Sequence, residues 1–122
     1  MKIRILIVDD CPDFLESLVR LLTSIGRYEV TTAENGREGL DRLRENHFEV
    51  VITDNQMPEM DGPAFVKEGK KLFPDLPFIL MSSGTISGGL AIIARECGAN
   101  GSYEKLDGFR KLEATIQTLV GH

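Results

Sequence analysis

Three aspartates stand where apolar runs of the chain stop. Ile3 to Val8 ends on Asp9 and Asp10, and Val50 to Ile52 leads through Thr53 to Asp54. Short apolar runs rich in β-branched residues make strands buried on both faces, so each carboxylate sits where such a strand leaves its sheet. In open parallel α/β sheets ligands bind beyond that carboxyl edge, where the strand order reverses. If the two strands are neighbours, the three carboxylates share one crevice. Two carboxylates about 4 Å apart repel by roughly 4 kcal/mol at an effective dielectric near 20, so the cluster calls for a cation. Few, all-oxygen ligands with room for water suit Mg²⁺, with Mn²⁺ as the alternative. Neither histidine lies near the cluster in the chain, and Cys11 is the only thiol beside it, which argues against zinc. Adjacent aspartates alone can simply cap the following helix. Asp54, with the turn signals Met57-Pro58 and Asp61-Gly62 behind it, weighs against that reading.

Two further polar residues come from later strand ends. Phe78 to Met81 is another apolar run, and it leads into Ser82-Ser83-Gly84; a short strand over Gly101 to Glu104 delivers Lys105. A serine hydroxyl can donate to an oxyanion, and a lysine is a long point cation that can cross a crevice. Taken together these residues supply carboxylates for a metal, one carboxylate as nucleophile, and a hydroxyl and an ammonium for a tetrahedral anion. That set suits phosphoryl transfer to an aspartate, where positioning and charge neutralisation supply most of the catalysis.

The elements that must position these groups alternate. Pro12 opens a helix marked by Leu15, Leu18, Leu22 and Ile25 and closed by Gly26; Tyr28 to Ala33 alternates as a strand; Asn35-Gly36 reads as a turn before a helix carrying Leu40 and Leu43. Phe65, Val66, Leu72 and Phe73 support a third helix stopped by Pro74 and Pro77, Ile86 to Cys97 a fourth, and Phe109, Leu112, Ile116 and Leu119 a fifth. Gly88 and Gly89 each cost the fourth helix about 1 kcal/mol relative to alanine, which predicts mobility at its start. The expected fold is α/β: a single doubly wound (βα)5 domain over residues 1–122, a five-stranded parallel sheet in the order 2-1-3-4-5 with helices on both faces.

Composition narrows the function classes. With 122 residues, 42% of them hydrophobic, the chain is large enough for one buried core. A net charge of -5 argues against direct binding of nucleic acid or an anionic membrane, and Lys67, Lys70 and Lys71 read as the wet face of a helix. No apolar run approaches the roughly 20 residues of a spanning helix, no signal peptide is visible, and Cys11 and Cys97 make no disulfide framework; the expected location is cytoplasmic. Gly84-Thr85-Ile86-Ser87-Gly88-Gly89 lacks the Gly-Lys-Ser/Thr ending of a phosphate-binding P-loop.

With these residues in place the chain resembles the receiver domains of bacterial two-component response regulators. The resemblance rests on Ile5 to Asp10, on Asp54-Asn55-Gln56-Met57-Pro58-Glu59-Met60-Asp61-Gly62, on Ser82-Ser83-Gly84, and on Gly98-Ala99-Asn100-Gly101 with Lys105, in family order. It implies that Asp54 accepts a phosphoryl group from a histidine kinase or phosphotransfer protein, or from a small phosphodonor. It implies too that Asp10, Asp54 and the backbone carbonyl of Gln56 ligate Mg²⁺, with Asp9 acting through water. Ser82 takes the switch position, Lys105 contacts the phosphoryl group, and the signal leaves toward a partner or output domain through the face of the fourth helix, fifth strand and fifth helix. Self-phosphorylation and autodephosphorylation are expected, not turnover of an external substrate.

Two departures stand out. The family usually carries an aromatic residue three places before the lysine, where this chain has Ser102; Tyr103 is one residue late, and on a strand that points it to the opposite face. Proline in a cis bond usually follows the lysine, but Leu106 follows here, which predicts a trans linkage. Two other readings remain open at this point. One is a flavodoxin-like interaction module independent of phosphorylation. The other is a Mg²⁺-dependent aspartyl-phosphate phosphatase, against which Gln56 stands where that family carries its acid.

Overall fold

The structure is a computed structural model that describes residues 2–82, 89–105 and 108–120. Among these residues five strands alternate with five helices: β1 (Ile3–Val8), α1 (Pro12–Ile25), β2 (Tyr28–Ala33), α2 (Gly36–Glu45), β3 (Val50–Asp54), α3 (Gly62–Leu72), β4 (Phe78–Ser82), α4 (Gly89–Cys97), β5 (Gly101–Glu104) and α5 (Phe109–Leu119). All four strand pairings are parallel, in the order β2-β1-β3-β4-β5, so β1 and β3 are neighbours at the centre. The order reverses between them, which makes the crevice beyond their carboxyl ends the expected ligand site.

The period of two along each strand divides the core into layers. Ile5, Ile7, Ile52, Ile79, Met81 and Tyr103 pack under α1 and α5, against Leu15, Leu18, Leu22, Leu112 and Ile116. Leu6, Val8, Val51 and Phe78 face the other way, toward Leu40 and Leu43 of α2 and Phe65 and Val66 of α3. Leu80 continues that second face under Leu90 and Ala94 of α4. Every residue of β3 and β4 is buried, as strands covered on both sides require.

Helix ends follow local chemistry. Gly26 closes α1 in the left-handed conformation at φ 87°, where a Cβ would be strained. Asn35-Gly36, expected as a turn, is instead the start of α2: the Asn35 side chain accepts from the Glu38 N–H at 2.8 Å, and Gly36 is already helical. The predicted start of α4 at Ile86 to Gly88, with its expected mobility, lies outside the described residues, as does Leu106 and its linkage to Lys105. Of the three clustered lysines, Lys67 is exposed and Lys71 pairs with Glu68, but Lys70 is half-buried over the Phe78 ring at 5.7 Å. Burial lowers the Lys70 pKa against an opposing pull from Asp75. No helix among the described residues is long and apolar enough to cross a membrane.

Candidate functional site

The strand period explains why the chemistry converges. Asp9 is two residues beyond Ile7, Asp54 two beyond Ile52, and Lys105 two beyond Tyr103; all three preceding residues face the α1–α5 layer. The side chains that follow in step gather at the carboxyl edge on that same side. Asp9, Asp10 and Asp54 each offer a carboxylate oxygen, and these atoms lie within 4.8 Å of one another. Asp9 is fully buried, Asp54 nearly so, and Asp10 exposed.

Lys105 reaches into the cluster. Its Nζ donates to Asp9 Oδ2 at 3.0 Å and lies 3.9 Å from Asp54 Oδ1. The other Asp9 oxygen accepts from the Cys11 N–H at 3.0 Å, so both oxygens of this buried carboxylate are engaged. Asp54 Oδ1 accepts from the Asn55 N–H, also at 3.0 Å. Burial raises the Asp54 pKa to about 6, opposed by Lys105 and the Asn55 N–H and assisted by the negative charges of Asp9 and Asp10. A carboxyl in this position still ionises at pH 7 and is more basic than an ordinary aspartate.

One ammonium thus stands against three carboxylates, all oxygen donors, beside an open crevice of about 510 Å³. Asp10, Cys11, Phe14, Asp54, Gln56 and Lys105 line it, with Met57 and Pro58 beside them. The deficit of positive charge and the oxygen-only donor set fit a hard divalent cation such as Mg²⁺. Gln56 is exposed at the mouth, on the turn that follows β3.

That turn is held by contacts the residue pattern only hinted at. The buried Thr53 hydroxyl donates to the Asp54 carbonyl at 3.1 Å, and the Asn55 N–H donates to the Met81 carbonyl of β4 at 2.7 Å, tying the end of β3 to its neighbour. The Met60 N–H donates to the Pro58 carbonyl at 2.7 Å, closing a three-residue turn centred on Glu59, whose φ is 68°. This is the rare γ-turn geometry, strained for a residue with a side chain. Gly62 then donates its N–H to the Asn55 carbonyl at 2.9 Å, and a Cβ there would run into the Asp54 carbonyl oxygen. Asp61 caps α3 by accepting from the Ala64 N–H at 2.9 Å. The Met-Pro-x-Met-Asp-Gly pattern is therefore the means by which the chain turns directly behind the nucleophile candidate.

Ser82 ends β4, nearly buried, and the register sets Met81 opposite Asp54 and Tyr103, with Ser82 opposite Glu104. Ser102 pairs with Leu80, on the α4 side, while Tyr103 is buried in the α1–α5 layer. The face expected to carry an aromatic therefore carries a hydroxymethyl group, and the neighbouring ring is committed to the opposite core. Phe14 of α1, which sequence reading passed over, lies with its ring centroid 4.0 Å from Lys105 Nζ. Its position at helical spacing gave no sign of this, because the contact joins residues far apart in the chain.

The fold agrees with comparisons to known proteins. The family described as the response regulator receiver domain matches residues 5–117. The chain is 38% identical over 121 residues to the transcriptional regulatory protein ZraR of Escherichia coli K12, covering 99% of this chain but only 27% of that protein's length. A response regulator receiver domain protein from Clostridium thermocellum is 32% identical, with TM-score 0.84 over 97% of this chain and 94% of that one. The Thermotoga maritima response regulator TrrA, solved in complex with Mg²⁺ and BeF, is also 32% identical, with TM-score 0.86 over 98% and 99% of the two chains. The chain belongs to the response regulator receiver family of two-component signalling.

Proposed function

We propose that residues 1–122 act as a phosphoryl-accepting switch, with Asp54 as the acceptor. The observation that carries the reading is the placement of Asp54: nearly buried at the end of the central strand, clustered with Asp9 and Asp10, and 3.9 Å from the Lys105 ammonium. An Asp54 oxygen attacks the phosphorus of a phosphohistidine or of a small acyl phosphate. The P–N or P–O bond to the donor breaks, and the product is an acyl phosphate on Asp54. Asp10, Asp54 and the Gln56 carbonyl would hold Mg²⁺, or Mn²⁺ in its place, with Asp9 behind them. When bound, that ion supplies charge neutralisation for the phosphoryl oxygens. Lys105 would supply a second positive charge, and Ser82 a hydroxyl that can donate to the new anion.

The partners are a histidine kinase or phosphotransfer protein upstream and a protein or output domain downstream, reached through the α4–β5–α5 face. The compartment that suits this chemistry is the cytoplasm. Because Ser102 has no ring to follow the Ser82 hydroxyl, activation here acts mainly on the segment between Ser82 and Leu90. Gln56 carries no acid to assist hydrolysis of an external substrate, so the reading is of a switch and not a phosphatase. Acetyl phosphate with Mg²⁺ tests the chemistry: one phosphoryl group, labile to acid and base, is expected. Equal labelling in excess chelator would sink the reading.

A further inference from the structure

We infer that Phe14 is a positioning residue for Lys105, its ring forming a seat that holds the ammonium between Asp9 and Asp54. The inference rests on the proposed phosphoacceptor role of Asp54. Three contacts define the place of Nζ: Asp9 Oδ2 at 3.0 Å, Asp54 Oδ1 at 3.9 Å and the Phe14 ring centroid at 4.0 Å. The Lys105 side chain is about nine-tenths buried, so its ammonium has lost most of its water. A hydrophobic side chain there would leave that side of the cation without compensation, and a further carboxylate would add repulsion to a site that already holds three. An aromatic face compensates a cation without carrying a charge.

Phe14 can hold this place because α1 follows directly on the acidic pair. Pro12 starts the helix, Phe14 falls in its first turn, and its half-buried ring leans on the α1–α5 core while lining the crevice with Asp10 and Cys11. The ring comes from one side of the sheet edge and Lys105 from the end of β5, so the contact also clasps α1 to the far half of the site. A lysine fixed in this way meets an incoming phosphoryl group already oriented, without first losing side-chain freedom.

The test compares Phe14→Leu, which keeps apolar bulk but removes the π face, with Phe14→Tyr, which keeps it. In the wild type the Lys105 side-chain methylene and ammonium resonances should be displaced upfield by the ring; Phe14→Leu should abolish that displacement and Phe14→Tyr should retain it. The rate of Asp54 labelling by acetyl phosphate should fall about three- to thirtyfold in Phe14→Leu, the span from an exposed to a desolvated cation–π contact, and recover in Phe14→Tyr. Absence of the upfield displacement in the wild type, or equal labelling rates in the two variants, would overturn the role of Phe14 while leaving Asp54 as acceptor. A wild type that displays the displacement but accepts no phosphoryl group would overturn the acceptor reading itself, and the reactive role of Phe14 with it.

Discussion

Asp54 is a carboxyl that folding makes harder to ionise, and this has a measurable sign. Burial first, then Asp9 and Asp10, hold its proton to about pH 6, against an ordinary value of 3.8. Well below pH 4 the group is protonated in both folded and unfolded chains and its ionisation costs nothing. Between about pH 4 and 6 the unfolded chain releases the proton first, so stability falls as pH rises. Above that window the folded protein carries a penalty on the order of 2–3 kcal/mol. Asp54→Asn in excess chelator should therefore raise stability by about 1–3 kcal/mol at pH 7.5, and most of the gain should be gone by pH 4. Asp10→Asn should stabilise less, because Asp10 is exposed and ranks last among the influences on Asp54. Denaturant melts across this pH range check both; an Asp54→Asn gain that persists unchanged at pH 4 would contradict the assignment.

The elements behind Asp54 make the next predictions. Gly62→Ala drives a Cβ against the Asp54 carbonyl, the Asn55 Cα and the Leu80 side chain, a clash mostly with backbone that cannot yield. A loss of about 3 kcal/mol or more is expected in urea melts, above the usual cost of overpacking. Glu59→Gly, by contrast, relieves a left-handed residue and should be neutral to stabilising by about 1 kcal/mol, offset in part by the freedom glycine adds to the unfolded chain. These two glycine effects also mark what was legible beforehand. The strands were readable because buried parallel strands write themselves as apolar runs, and Asp9, Asp10 and Asp54 because carboxylates cannot end such runs without consequence. The place of Lys105 beside them was readable only from the set as a whole. The strain at Glu59, the cap made by Asn35 and the meeting of Phe14 with Lys105 were not. Backbone dihedrals at turns and contacts between distant residues depend on tertiary context that no local period records.

For the molecule as a whole, the crevice joins β1, β3, β5 and α1 through like charges that one lysine only partly offsets, so a cation binding there should stabilise the entire fold. Millimolar Mg²⁺ is expected to add about 1–3 kcal/mol, that is a rise of several degrees in melting temperature, with Asp10→Asn losing the response. Thermal melts with and without chelator check this. The switch prediction belongs to the same scale: beryllofluoride should alter amide exchange mostly between Ser82 and Leu90, with Gly101 to Lys105 changing less. The central claim is that one carboxylate, Asp54, receives the phosphoryl group, and reductive mapping tests it most directly. Borohydride converts an aspartyl phosphate to homoserine, so protein treated with acetyl phosphate and Mg²⁺, reduced and digested, should show homoserine at position 54 alone and none after Asp54→Ala. Homoserine at position 9 or 10 with Asp54 intact, or labelling that survives Asp54→Ala at the same rate, would contradict it.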